Sequence, residues 1–551
     1  MAANEKGEKI PKKYSDTLEA AMSRNPHLRI YVREFMKRTG KLPEFYPQLS
    51  RDMKDIKYPN ILYPLGDPLF IHIYGSRKEE KRYIVIEPKI TSEEERKRYD
   101  ALRDKMLELA SDRDIPEDAK EFERFLDKLM DEAVRRLSKG GGLFKRKTVK
   151  LTKTDLLKFR YLIKRDIVGI GPLEPLMRDP YIEDIHIVGA DYIALIHKIF
   201  EFLPTTIKFK NNIELADYFK NLSERMGRPV SDKNPVVDGT LPDGSRINII
   251  YSPDISIKGP SATIRKFSAT PISVVQLVKW GTFSAEVAAY LWLALEYGMS
   301  VFVCGETASG KTTTLNSIIP FIKPDAKIYT AEDTPEVIVP HPTWQRLVTR
   351  ERGPEESRVT LFDLLKAALR SRPNYIIVGE IRGAEGAIAF QAMQTGHPVM
   401  STFHAGDIKK MIQRFTSPPI NVPVTFIDNL NIALFQQAVY VKGRFLRRVL
   451  NVVEIEGYYE ELGGVATRNV FEWDSVNDRH IFRGMNNSYI LERKIAEVAG
   501  YEDPKEIYNE LFLRARIIQK MVELGITDYY DVHREIKAFY ERGLEGLSFR
   551  L

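Results

Sequence analysis

Eight consecutive residues carry the clearest chemical signal in this 551-residue chain. They are Gly305-Glu306-Thr307-Ala308-Ser309-Gly310-Lys311-Thr312, and they fit the pattern G-x-x-x-x-G-K-[ST]. The residues between the two glycines let the backbone wrap an anion with its amide hydrogens pointing inward. Gly305 and Gly310 remove side chains where backbone meets phosphate, and Glu306, Thr307, Ala308 and Ser309 form the wrap. The run Val301-Phe302-Val303-Cys304 before the loop reads as a buried strand. The residues after it read as a helix, whose positive dipole end falls on the same anion. Lys311 then reaches the β- and γ-phosphates, and the Thr312 hydroxyl, with Thr313 beside it, faces Mg²⁺. The expected ligands are ATP and Mg²⁺.

A phosphate-binding loop needs a carboxylate on the metal side. The apolar run Tyr375-Ile376-Ile377-Val378 ends in Gly379-Glu380-Ile381-Arg382. In a parallel sheet the active site lies at the carboxyl ends of the strands, so Glu380 is placed to hold Mg²⁺ through water. Arg382 stands between structural pairing and a phosphate contact. A second acidic cluster, Ala331-Glu332-Asp333-Thr334-Pro335-Glu336, ends another expected strand. Hydrolysis needs a base near the γ-phosphate; Glu332 is the first choice, Glu336 the second, and helix N-capping is the structural alternative for both. The segment Thr395-Gly396-His397-Pro398-Val399-Met400-Ser401-Thr402-Phe403-His404-Ala405-Gly406 flanks a strand with two histidines. His404, at its carboxyl end, and His397 are both candidates for sensing the γ-phosphate.

The elements that must position these groups follow from the hydrophobic pattern. Strands at 300–304, 327–331, 375–379 and 398–402 alternate with helices at 311–319, 360–371 and 383–394, the rhythm of a parallel sheet covered on both faces. Strands at 437–441 and 449–455 follow, and then helices to the end. Upstream, 151–268 mixes helices (156–167 and 213–226) with strands (185–188, 192–196, 246–251 and 262–267), an α+β domain. Residues 14–39 read as a helix, 69–74 and 83–86 as short strands, and 91–139 as a helical hairpin broken at Pro116. Gly140-Gly141-Gly142 with Lys145-Arg146-Lys147 reads as a linker. The domains are then a disordered tail (1–13), a helical and mixed region (14–147), an α+β domain (148–270) and an α/β domain with C-terminal helices (271–551).

Bulk composition excludes several classes. With 43% hydrophobic and 29% charged residues the chain can build sizeable cores. The net charge of +7 is small against 83 basic and 76 acidic side chains; it permits an anionic surface as partner without demanding one. A single cysteine, Cys304, excludes a disulfide framework and a cysteine zinc site. The N-terminus has no apolar signal-peptide core. The longest apolar run, Val287 to Leu295, stops at Glu296, short of the roughly 18 residues a membrane span needs.

In order and spacing the motifs GETASGKT, AEDTPE, GEIR and TGHPVMSTFHAGD resemble those of the secretion-superfamily ATPases, which power type II and type IV secretion, type IV pili and the archaellum. GIGPLEPLMRDPYIEDIHIVG (169–189) and DGTLPDGSRINI (238–249) resemble that family's second N-terminal domain. YPNILYPLGDPLFIHIYG (58–75) and TSPPINVP (416–423) look like the archaeal branch, above all the archaellum ATPase. The resemblance implies an α/β fold with a RecA-like P-loop domain, an α+β domain flexibly linked before it, and nucleotide in the cleft between them. It implies a homo-hexamer at the inner face of the membrane, working on a polytopic platform protein with accessory archaellum proteins. It also implies that arginines of the N-terminal domain assist turnover; the matching positions are Arg246 and Arg265, with Lys266 beside the latter. The alternatives are a pilus or secretion ATPase of the same family and a nucleic-acid translocase on a RecA core. A translocase needs a basic, aromatic-studded channel, and the sequence shows no basic stripe beyond 145–150. No N-K-x-D motif supports a guanine-nucleotide switch.

Overall fold

The computed structural model describes residues 17–139 apart from 112 and 117, and 151–267, 270–350, 355–441, 444–461 and 463–551. The expected tail (1–13) and the glycine and basic linker (140–147) lie outside the described residues. The chain divides into two compact units, Met1–Phe267 and Ser268–Leu551.

The first unit holds two sheets. One has the order β1 (Glu44–Phe45), β2 (Asn60–Gly66), β3 (Leu69–Tyr74), β4 (Arg82–Ile86). The other comprises β5 (Ile182–Val188), β6 (Ile193–His197), β7 (Glu201–Pro204), β8 (Val236–Thr240), β9 (Arg246–Ile250) and β10 (Ser261–Arg265), in the antiparallel order β7-β6-β5-β10-β9-β8. The regions 14–147 and 148–270, distinct in the sequence reading, share one buried cluster that runs from Ile61 and Tyr83 to Ile185 and Ile264. A polar clamp lies inside it: the Tyr63 and Tyr83 hydroxyls both donate to Asp179 Oδ2 at 2.6 Å. The expected 14–39 helix is two helices, Leu18–Arg24 and Pro26–Thr39. Pro26 has no N–H to continue the first helix and starts the second. The hairpin helices Glu93–Ala110 and Ala119–Lys139 bury the expected stripes, including Tyr99, Leu102, Leu126 and Leu129.

The second unit is one sheet of nine strands: β11 (Val301–Gly305), β12 (Ile328–Glu332), β13 (Trp344–Val348), β14 (Tyr375–Glu380), β15 (Val399–Phe403), β16 (Ile432–Val441), β17 (Arg444–Tyr459), β18 (Gly464–Asp474) and β19 (Arg479–Phe482). Their order is β13-β12-β14-β15-β11-β16-β17-β18-β19. The strands from β13 to β16 are parallel, and β16 to β19 form an antiparallel extension. β11, β12 and β15 are buried along their whole length, as sheet strands covered on both faces must be. One face packs under the helices Ala285–Glu296, Lys311–Ile318, Ile507–Leu524 and Tyr529–Arg542. The other packs under Leu361–Ser371, Glu385–Gln394 and Ile408–Thr416. This is the expected α/β architecture.

Three strands depart from the sequence reading. β13 is an edge strand with no fully buried side chain, so it lacks an apolar signal. β18 and β19 occupy 464–482, where helices were expected. Their burial is too uneven to leave a clean alternation, and antiparallel pairing to β17 supplies the order instead.

Candidate active site

β11, β15, β14 and β12 are neighbours in the sheet, and each delivers one candidate residue at its carboxyl end. From the middle outward these are the loop after Gly305, His404, Glu380 and Glu332. Residues separated by up to a hundred positions thus line one edge of one sheet, the place where α/β folds bind ligands.

The loop depends on its glycines. A Cβ at Gly305 would sit 2.2 Å from the Gln436 carbonyl oxygen in β16. Gly310 has φ +94° and caps the helix Lys311–Ile318, so its backbone is left-handed at the point where the amides turn inward. The Ser309 hydroxyl donates to the Glu306 carbonyl at 2.8 Å. Lys311 is buried, and its Nζ donates to the Glu306 carbonyl at 3.0 Å and lies 3.5 Å from His404 Nδ1. Burial lowers the lysine pKa, and the Glu380 charge opposes that shift. Thr312 and Thr313 occupy the first turn of the helix, both half-buried.

His404 bridges the loop and the metal-side carboxylate. Its Nε2 lies 2.7 Å from Glu380 Oε1. Burial, with Lys311 next, lowers its pKa, outweighing the pull of Glu380. An ammonium can only donate, so Nδ1 accepts from Lys311, and the imidazole is the neutral tautomer with its proton on Nε2. The other oxygen of Glu380 is in direct contact with the Arg382 guanidinium. That resolves Arg382 toward pairing: its side chain is mostly exposed and its backbone N–H donates to Glu385 Oε1.

Glu332 is the most perturbed of the four. It is 1% exposed. Its Oε1 accepts from the N–H groups of Glu336 and Val337, both at 2.8 Å. Its Oε2 is buried with no hydrogen-bond partner among the described residues. Burial pushes its pKa up from 4.5 to about 7, against those two backbone donors. A carboxyl titrating near neutrality is suited to accept a proton. Glu336 is half-buried and contributes its backbone to the turn that holds Glu332; its carbonyl accepts from Asn316 of the loop helix at 3.0 Å.

A cavity of about 420 Å³ opens beside Gly305 and Glu306 on the β15 side. Arg382, His404, Lys410 and Arg414 line it, so its charge suits an anion. Mg²⁺ asks for one or two carboxylate or hydroxyl groups and keeps several waters. Glu380, whose Oε1 is buried without an aligned donor, fits that requirement together with Thr312. Among the described residues, no cluster of three or more His, Cys, Asp or Glu forms a protein-only metal cage.

The family described as type II/IV secretion system protein matches residues 166–431. An uncharacterized protein of Methanocaldococcus jannaschii is 62% identical over 540 residues, covering 97% of this chain and 98% of that one. The chain belongs to the type II/IV secretion system protein family. VirB11 of the type IV secretion system of Bartonella quintana is 28% identical over 237 residues, 37% of this chain and 67% of its own. Two solved structures that the chain matches are the ATPase DotB of Legionella pneumophila and the pilus retraction motor PilT with bound ADP. DotB has TM-score 0.38 and 18% identity, covering 68% of this chain and 91% of its own. PilT has TM-score 0.35 and 20% identity, covering 58% and 84%. Among the described residues of this chain no helix is long and apolar enough to cross a membrane.

The remaining candidates fall in three places. His397 precedes β15, at the amino edge of the sheet, and its Nδ1 meets the Thr395 hydroxyl at 3.3 Å. The strand between the two histidines carries His404 to the opposite edge, so His397 does not join the loop within this chain. Arg246 and Arg265 belong to the first unit and sit directly across from each other on β9 and β10, with Asp184 of β5 opposite Arg265. Lys266 is turned inward, its ammonium donating to the Leu176 and Asp179 carbonyls. Cys304 is buried, and burial raises its thiol pKa.

Two residues that hold the loop were not legible as site residues. Gln436 of β16 is 3% exposed; its Nε2 donates to the Ser309 carbonyl at 2.7 Å and its Oε1 accepts from Thr314 at 2.7 Å. Arg447 of β17 donates from Nε to the Ala308 carbonyl at 3.0 Å. The available signal was a glutamine closing the apolar run Ile432 to Phe435.

Proposed function

We propose that this protein hydrolyses ATP to ADP and phosphate to drive assembly of an archaellum filament. In this reading a homo-hexameric ring works on a polytopic membrane platform protein and its accessory motor proteins, at the anionic inner face of the membrane. The observation that carries the hydrolytic part is the row Lys311, His404, Glu380, Glu332 along one sheet edge, ending in a buried carboxyl with one unpartnered oxygen. Support for the archaellum lies in the segments 58–75 and 416–423.

We assign the residues the following roles. Lys311 and the inward amides bind the phosphates. Glu380 and Thr312 hold Mg²⁺, which supplies charge neutralisation at the phosphate oxygens when bound. Glu332 takes a proton from the attacking water, and Glu336 keeps the turn that aims it. His404 couples Lys311 to Glu380, where loss of the γ-phosphate changes the local charge. Arg382 pairs with Glu380 and His397 stands on the far edge, so neither is assigned a nucleotide contact within this chain, and Arg246 and Arg265 are the arginines that assist turnover.

The test is turnover with anionic-lipid vesicles and with single-stranded DNA, beside light scattering with and without nucleotide. The proposal expects nucleotide-dependent hexamers and stimulation by lipid. Stimulation by single-stranded DNA with none by lipid would replace it with a nucleic-acid translocase. Capture of a platform protein from native membranes separates the archaellum from a pilus or secretion machine.

A further inference from the structure

We propose that Tyr440 and Phe445, an aromatic pair on the β16–β17 ribbon, form the platform on which the base of the bound nucleotide stacks. The proposal rests on the reading of Gly305–Thr312 as the ATP site. In the ribbon, Tyr440 pairs with Phe445 and Ala438 with Arg447. Residues two apart along a strand share a face, and so do directly opposed residues. Gln436, Tyr440, Phe445 and Arg447 therefore project from one face of the ribbon. Two of them identify where that face looks, because Gln436 donates to the Ser309 carbonyl and Arg447 to the Ala308 carbonyl. Tyr440 and Phe445 continue the same face about 7 Å further out.

The direction of the nucleotide follows from the sheet order. His404, Glu380 and Glu332 lie on the β15 side of β11, as does the cationic cavity. The γ-phosphate end points to that side, so the nucleoside end leaves toward β16 and β17. There it meets two rings 5.3 Å apart at 63°, exposed by 76% and 47%, with the Arg447 guanidinium 5.6 Å from the Phe445 centroid. Exposed adjacent aromatics with a cation over one of the rings are the chemistry that holds a flat base, and such stacking does not depend on which base it is.

The test measures binding of Mg-ATP and of Mg-tripolyphosphate, which has no base, by calorimetry on the full chain. The double variant Tyr440→Ala/Phe445→Ala is expected to bind ATP about ten- to hundredfold more weakly, with tripolyphosphate affinity unchanged. The aromatic exchange Tyr440→Phe/Phe445→Tyr is expected to restore ATP affinity. Unchanged ATP affinity in the double variant would overturn the platform, and so would a parallel fall for both ligands, which would mean that the ribbon acts only by holding the loop. Wild-type protein that binds neither ligand would overturn the ATP-site reading itself, a result distinct from either of these.

Discussion

Replacing Glu332 with glutamine should remove hydrolysis and, at the same time, change how stability depends on pH. The carboxyl has a folded-state pKa of about 7 against an ordinary value of 4.5, with burial as the leading cause. A tenfold change in proton affinity is worth about 1.4 kcal/mol, so the whole rise amounts to about 3 kcal/mol. The sign follows from linkage. The folded pKa is raised, so the contribution of this group to stability is complete below 4.5 and is lost as pH rises through about 7. Glutamine keeps an oxygen for the Glu336 and Val337 amides and cannot ionise. Its buried NH₂, if unpaired, costs about 1–3 kcal/mol at every pH and cancels when two pH values are compared. Between about pH 5 and about pH 8.5, Glu332→Gln should therefore gain about 3 kcal/mol relative to the wild type. Calorimetry on both proteins reads this as a change in the Tm difference on the order of 5–10 °C for a unit of this size. Wild-type turnover should rise with pH through about 7, while the variant binds Mg-ATP and does not turn it over. A Tm difference independent of pH would refute the buried titration, and normal turnover in the variant would move the base to Glu336 or Glu380.

Other substitutions probe the rest of the edge. Gly305→Ala places a methyl 2.2 Å from the Gln436 carbonyl and should cost about 1–3 kcal/mol in thermal unfolding and lose ATP binding in a titration. Glu380→Gln should raise the Mg²⁺ concentration for half-maximal turnover by about ten- to hundredfold, read from a metal titration of activity. Gln436→Ala strands the Ser309 carbonyl and the Thr314 hydroxyl and should cost about 1–3 kcal/mol in denaturant unfolding. It should also raise the KM for ATP more than it lowers kcat.

Much of this edge is legible in the residue order because of one physical regularity. A parallel strand covered on both faces is a short run of buried, mostly apolar and uncharged residues, so the first carboxylate or imidazole at its end marks its carboxyl edge. Glu332, Glu380 and His404 each stand there, next to a loop whose glycine and lysine spacing has a phosphate-binding reason. His397 shows the limit of reading by motif: it pairs with His404 in the sequence, but the five residues of β15 put the two on opposite edges. Gln436 was illegible for a different reason. Its role depends on its register opposite Gly305, a pairing between strands far apart in sequence. β13, β18 and β19 are half-exposed and owe their conformation to neighbours more than to their own pattern.

The sheet order also separates the two things the site must do. β11 lies between β15 and β16. On the β15 side stand the groups that titrate or pair with charge: His404, Glu380 and Glu332. On the β16 side stand groups that hold backbone: Gln436 on the Ser309 carbonyl and Arg447 on the Ala308 carbonyl. The loop is thus clamped from one flank and acted on from the other. Interactions present before and during reaction lower KM, whereas those that strengthen only as charge develops raise kcat. Changes on the β16 and β17 flank should accordingly appear in KM, and changes at Glu332 and Glu380 in kcat. Asn316 is the place where that separation should fail. Its amide ties the loop helix to the Glu336 and Ile338 turn at 3.0 and 2.9 Å, so a shift of the clamped loop reaches the carboxyl that serves as base. Asn316→Ala should move both constants together, and a change in KM alone would mean that the loop and the base are held independently.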